Sequence, residues 1–242
     1  PEYQDLTFKV NLPTKQAGTF TLFGLGGQSA ISFLDSESEE DGFFSGESQD
    51  LYNRAAMGMA GFTHTYLFSE KTYGKAMLAI SGTRSGTDID SLSVETGDPV
   101  RFYAEEYNQL KYTASYQLNH KFSARDHLRS GFILDLIEAN LLDSIRTEAN
   151  TFRNLRNFSG NTSLLRVYTQ WQHKFSNELT LNAGLHYQRF FLNGSQALEP
   201  RVGLQYKLNE RHTLSLGGGL HSQIQPIQVY FIETQLPMGR HA

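Results

Sequence analysis

The sequence predicts an all-β protein, an antiparallel up-and-down meander of about ten strands. Three observations carry that prediction. Apolar and polar residues alternate with a period of two through much of the chain, and helical spacing fits none of the clearest windows. One short turn recurs three times, as NHKFSARDHLRSGF (119–132), QHKFSNELTLNAGL (172–185) and QYKLNERHTLSLGG (205–218). Short and long connections also follow one another in strict succession, which in a meander gathers the short turns at one end.

Taken in order, the strands fall at 4–12, 19–33, 54–67, 72–83, 100–120, 127–137, 162–174, 179–191, 197–208 and 213–223. The fifth interleaves Leu110, Tyr112, Ala114, Tyr116 and Leu118 with Gln109, Lys111, Thr113, Ser115, Gln117 and Asn119. The eighth sets Leu179, Leu181, Ala183, Leu185 and Tyr187 against Thr180, Asn182, Gly184, His186 and Gln188. The ninth sets Leu198, Val202, Leu204, Tyr206 and Leu208 opposite Glu199, Arg201, Gly203, Gln205 and Lys207. Short turns lie at 13–18, 68–71, 121–126, 175–178 and 209–212, and long polar connections at 34–53, 84–99 and 138–161, with a shorter one at 192–196. The copies of the repeated turn are unequally spaced, so this is no fixed-period solenoid.

Composition narrows the class. The chain has 242 residues, 39% of them hydrophobic and 12% aromatic, with no cysteine. Disulfide frameworks and thiolate metal sites are therefore excluded. A net charge of -4 and a pI near 6.1 argue against a nucleic-acid surface. No apolar run is long enough for a transmembrane helix, but a spanning strand needs only about 9–11 residues with every second one apolar.

Polar residues on one strand face, apolar residues on the other, and short turns gathered at one end are the signature of a bacterial outer-membrane barrel. Closing the sheet pairs the backbone groups that lipid leaves no other way to satisfy. The repeated turn then belongs at the periplasmic rim. Phe122, Phe175 and Leu208 meet the interface there, beside His120, His173 and Tyr206, while Lys121, Lys174 and Lys207 reach water or headgroups. A soluble β-sandwich or lipocalin-like barrel shows the same alternation. Recurrent strands of ten or more residues weigh against it, since soluble strands run to roughly five or six.

The stretch NTSLLRVYTQWQHKFSNELTLNAGLHYQRFFLNGSQALEPRVGLQYKLNERHTLSLGGGLHSQ (161–223) resembles the barrel of TonB-dependent outer-membrane receptors of the Bacteroidota type. LNAGLHYQRF, ALEPRVGLQYKLN and LSLGGGLHSQ are the specific parts of the match, and YQDLTFKVNLPTKQAGTFTLFGLGG (3–27) and LNHKFSARDHLRSGF (118–132) resemble the same family. The resemblance implies a large plugged barrel of roughly 22 strands, of which residues 1–242 form a partial barrel domain. The start at Pro1 and the end in QLPMGRHA read as cuts within a longer protein, with the plug domain and the remaining strands outside it. The implied function is import of a bound nutrient, an iron chelate or a glycan, across the outer membrane of a Gram-negative bacterium. The implied partners are outer-membrane lipid and lipopolysaccharide, the plug of the same protein, TonB acting through that plug, and the nutrient ligand.

Few residues stand out as chemistry. His186, Gln188, Glu199, Arg201 and His221 fall on the polar face and are the candidate ligand-binding residues of the lumen. Glu199 and Arg201, two apart on one face, also fit a structural ion pair. The loop LDSESEEDGFFSGESQD (34–50) carries Asp35, Glu37, Glu39, Glu40, Asp41, Glu47 and Asp50 with no basic residue. Hard cations take such carboxylates, so Asp35, Glu37, Glu39, Glu40 and Asp41 are the candidate Ca²⁺ ligands. The bland alternative is a solvated extracellular loop. The glycine runs at 24–27 and 217–219 have strands on both sides rather than a following helix, which excludes a phosphate cradle and suits the lumen face of a bent strand. There is no H-E-x-x-H and no G-x-S-x-G; GTRSG (82–86) and GFFSG (42–46) misplace the serine. The expected function is therefore transport rather than catalysis, with a binding module on a soluble β-sandwich as the alternative and an outer-membrane enzyme behind it. Beyond the loop carboxylates, no cofactor is expected.

Overall fold

Ten strands follow one another in one antiparallel sheet whose spatial order is the chain order. They are β1 (Glu2–Pro13), β2 (Thr19–Leu34), β3 (Gln49–Ser69), β4 (Thr72–Leu92), β5 (Pro99–Lys121), β6 (Asp126–Arg146), β7 (Phe152–Lys174), β8 (Leu179–Phe190), β9 (Gln196–Lys207) and β10 (Thr213–Gly219). The structure is a computed structural model that describes residues 1–36, 48–93 and 95–231. Among these residues β1 and β10 form the two edges of the sheet, and a short 3-10 helix, η1 (Ile227–Phe231), follows β10.

Every expected strand is present, but several are much longer than alternation indicates. β4 runs on through GTRSGTDIDSL to Leu92, β6 continues to Arg146, and β7 already begins at Phe152. The supposed long connections at 84–99 and 138–161 are therefore mostly strand. The reason is physical. Where both sheet faces meet water, nothing selects for apolar residues on either one, so the period-two signal fades while the backbone ladder continues.

Cross-strand register shows where this happens. On one face, Ile80 pairs with Tyr112 and Tyr112 with Leu136, an apolar row. Four residues further from the short turns on β4, Arg84 pairs with Asn108, and Asn108 with Asn140, a polar row on the same face. Below the change this face presents Leu22, Phe62, Leu78, Leu118, Val167, Leu185 and Leu204, all exposed. The apolar stretch of β5 runs from Leu110 to Leu118, close to the roughly 9–11 residues of a spanning strand. The rest of β3 to β7 stands above the band. The opposite face is polar within the band, with Lys111, Thr113, Ser115, Gln117 and Asn119 on β5, and Asn119 is only 1% exposed. The apolar face thus meets lipid and the crowded polar face is the inner wall.

The repeated turn marks the lower edge of the band, and one side-chain acceptor explains it. Ser123 Oγ accepts the N–H groups of Arg125 (3.0 Å) and Asp126 (3.1 Å). Ser176 Oγ accepts those of Glu178 and Leu179, both at 3.1 Å. Asn209 Oδ1 accepts those of Arg211 and His212, both at 2.9 Å. The three acceptors occupy the same position of the repeat, and a short polar side chain there closes the turn. Just before it, His120 and Phe122 meet edge to face at 4.4 Å, and His173 and Phe175 at 4.6 Å. Stacked Phe20 and His64 (4.5 Å) and edge-on Tyr66 and Phe68 (5.1 Å) extend this aromatic belt. Gly18 closes the first turn at φ +81°, where a Cβ would come within 2.2 Å of the Thr65 carbonyl oxygen.

One glycine run departs from expectation. Gly24 shares the apolar outer face with Leu22, and the Phe8 ring lies over it, 2.4 Å from where a Cβ would stand. Its role is to seat an aromatic ring on the lipid side rather than to bend the lumen face.

Facing predicts the effect of added charge. Leu204 and Tyr206 are 40% and 45% exposed on the outer face, while Gln205 faces inward. Leu204→Lys is expected to cost roughly 2–4 kcal/mol at mid-band, seen as loss of the heat-resistant folded band in gels. Gln205→Lys is expected to leave that band unchanged; equal loss from both variants contradicts the assignment of faces.

Candidate functional site

The inner wall at β8 and β9 gathers most of the residues singled out above. His186 pairs with Glu199 across the ladder, and Gly184 with Arg201. Glu199 is only 2% exposed, and its carboxylate is fully engaged. The Arg201 guanidinium donates to Oε2 at 2.5 Å, and His186 Nδ1 lies 3.1 Å from the same oxygen. Oε1 accepts the Ser222 N–H at 2.8 Å together with the Ser222 hydroxyl. Gln188 reaches the same place, donating to Ser222 Oγ at 2.6 Å. The ion pair of Glu199 and Arg201 is therefore real, and four of the five candidate residues form one cluster.

His221 stands apart. β10 ends at Gly219, short of the expected 223, because its ladder with β9 closes at the pair Gly219 and Arg201. The chain then turns inward, donating Leu220 N–H to the Pro200 carbonyl at 3.0 Å. His221 is exposed on this turn rather than projecting from a strand face.

Below the cluster lies a shallow hollow of about 370 Å³ whose inner-face lining includes Tyr168, Gln170, Asn182, His186 and Arg201 over Gly184 and Gly203. The two glycines keep its floor low. Amides, an imidazole, a phenol and a guanidinium offer donors and acceptors without a net acidic charge. Such a lining suits a hydroxyl-rich or anionic ligand.

Cross-strand register also creates charged groups that no local motif displays. Asp135 on β6 (3% exposed) pairs with Arg166 on β7 and accepts the Thr113 hydroxyl at 2.6 Å. Above the band, Arg156 binds Asp143 at 2.5 Å and Glu105 at 2.9 Å, and the Tyr103 hydroxyl donates to Glu105 at 3.0 Å. Desolvation first, then the bond to Glu105, pushes the Tyr103 phenol up to about 12. On the outer face above the band, Arg101 joins Asp88 (2.7 Å) and Asp90, Arg54 joins Asp88, and Arg84 joins Glu106 (2.8 Å). The only sequence trace of the inner pairs is a lone acid inside an otherwise apolar strand, as Asp135 is within FILDLI.

Glu37, Glu39, Glu40, Asp41 and Glu47 lie outside the described residues. Asp50 is 1% exposed and accepts the Ser36 N–H at 3.0 Å and the Ser36 hydroxyl at 2.7 Å, so it ties the loop base together. Among the described residues no group of three or more His, Cys, Asp or Glu is placed to hold a metal.

A buried charge left alone is costly, which makes the Asp135 pair testable. Arg166→Met is expected to destabilise the folded protein by about 3–5 kcal/mol, and Asp135→Asn with Arg166→Met to recover most of that. Urea unfolding followed by tryptophan emission, with Trp171 as reporter, measures both.

The fold has relatives of known structure. No protein-family model matches the sequence, and no curated protein matches it. The chain superposes on the copper transporter OprC with a TM-score of 0.65 at 13% identity, over 86% of this chain and 36% of that one. It superposes on the ferric-catecholate import receptor Fiu from E. coli K12, in its open form, with a TM-score of 0.63 at 9% identity, over 90% of this chain and 40% of that one. The chain therefore spans well under half the length of either structure, and the likeness is one of fold: an antiparallel arc of outer-membrane barrel wall.

Proposed function

We propose that the chain is part of the barrel wall of a TonB-dependent outer-membrane transporter of the Bacteroidota type, importing a nutrient ligand such as an iron chelate or a glycan. One observation carries this reading. A meander with an apolar outer band, an aromatic belt at its short turns and a polar inner wall matches more than a third of two structures, one titled a copper transporter and the other a ferric-catecholate import receptor. In this reading the protein resides in the outer membrane of a Gram-negative bacterium, its outer face meets lipid and lipopolysaccharide, and a plug domain outside these residues fills the lumen and contacts TonB. The carboxylates of the 34–50 sequence are the proposed contacts for Ca²⁺. His186 and Arg201, beside the lumenal hollow, are the proposed ligand contacts, together with His221 on the segment after β10. Gln188 and Glu199 support them.

Deleting the full gene is expected to abolish growth on one limiting nutrient from a panel of iron chelates and glycans, and complementation to restore it. His186→Ala with Arg201→Ala is expected to weaken that growth at least tenfold in limiting nutrient while leaving surface abundance unchanged. Unimpaired growth of the deletion strain across the panel, together with recovery of the protein in the soluble fraction, contradicts the transporter reading.

A further inference from the structure

The largest buried apolar cluster of the described residues lies on the inner wall, not between two sheets. Ile137 (6% exposed) and Ala139 (2%) of β6, Leu164 (7%) of β7 and Phe190 (1%) of β8 share it with Ile227 (6%), which belongs to the segment after β10. Ile224 and Tyr230 of the same segment pack against it, and the Tyr230 ring lies 5.2 Å from that of Phe190. Register places the four wall residues on the same face as Glu199: Ala139 and Ile137 share the face of Lys111 and Gln109 of β5, and Leu164 pairs with Phe190. The chain thus leaves β10 at Gly219, is held at Ser222 by the Glu199 carboxylate, and crosses inside β9 and β8 to reach β6. Pro226 starts the terminal 3-10 turn, accepting the Val229 N–H at 3.0 Å, and the Tyr230 hydroxyl accepts the Gln225 N–H at 3.1 Å. These bonds give the segment a defined shape.

We propose that residues 220–231 are an inward strap that narrows the passage along the inner wall, and that Glu199 is the positioning residue that latches it. Ile224, Ile227 and Tyr230 of the strap are spent on the wall, while Leu220 and Val229 stay exposed. His221, Gln223 and Gln225 of the strap are exposed, and Glu199, which holds its Ser222, also binds Arg201 and His186 of the hollow. The strap is therefore the upper lip of the ligand site, and its exposed amides and imidazole help select a hydroxyl-rich or anionic ligand. The selectivity part rests on the transporter reading; the latch does not.

β6 carries the sequence trace of the strap. In FILDLIEANLLD, Leu134 and Leu136 face outward, while Ile133, Ile137, Ala139 and Leu141 face inward. A strand apolar on both faces is covered on both faces.

These residues contain no cysteine, and with any cysteine elsewhere in the full-length protein replaced by serine, accessibility is a clean test. Single cysteines at His221 and Ile227 are introduced into the full-length protein and labelled on intact cells with a membrane-impermeant maleimide. His221→Cys is expected to label at least tenfold faster than Ile227→Cys. Adding Glu199→Ala is expected to speed labelling of Ile227→Cys roughly tenfold, in line with loss of hydrogen bonds to a charged group. Ser222→Ala, which removes only the hydroxyl, is expected to give a smaller rise and carries the test if Glu199→Ala does not assemble. Equal labelling of the two cysteines in the parent, or no rise in either latch variant, overturns the strap. Labelling as expected, with no change in nutrient preference on His221→Ala with Gln223→Ala, leaves the latch standing and refutes the selectivity role.

Discussion

The dominant constraint on this chain is that backbone N–H and C=O groups within an apolar band must be paired by a neighbouring strand, because lipid supplies no partner. The continuous ladder from β1 to β10 follows from it, as do the short turns, each closed by an acceptor such as Ser123, Ser176 or Asn209. The apolar band also makes the register unambiguous, through its side chains rather than its backbone groups. A one-residue slip would turn Leu204 and Tyr206 inward and Gln205 toward lipid.

Above the band the constraint relaxes but the ladder persists. Water satisfies either face there, so the strands need another source of cohesion, and charge provides it: Arg156 with Asp143 and Glu105 inside, Arg101 with Asp88 and Asp90 outside. Exposed pairs of this kind contribute roughly 0–1 kcal/mol each. Arg156 with the nearly buried Asp143 is better placed than most, since Arg156 holds two carboxylates and Tyr103 joins them. The outcome is a wall that is lipid-facing below and solvent-facing above, built from the same uninterrupted strands.

The inner wall combines two regimes. At β8 and β9 it is polar and hollowed over glycine, which leaves His186 and Arg201 reachable. At β6 to β8 it is apolar and covered by the segment after β10. Glu199 joins the two, because one carboxylate accepts from Arg201 on the wall and from Ser222 on the strap. A residue that reads as a ligand contact in isolation thereby also holds the structure together.

The sequence by itself determined the strands, their order, their faces and the repeated turn, since each depends on spacing within a few residues: period two for a strand, one serine or asparagine for a turn. Tertiary structure alone decided how far the strands extend above the band, which charges pair, and where the chain goes after β10. Polar residues on both faces carry no period in β4, and in β6 apolar residues stand on both faces, so β4, β6 and β7 were legible only in part. Asp135 and Arg166 lie on different strands and meet through register. His221 looked like a continuation of β10, yet the buried carboxylate of Glu199 draws Ser222 inward and takes His221 off the strand. Such contacts join residues distant in the chain, and no local pattern records them.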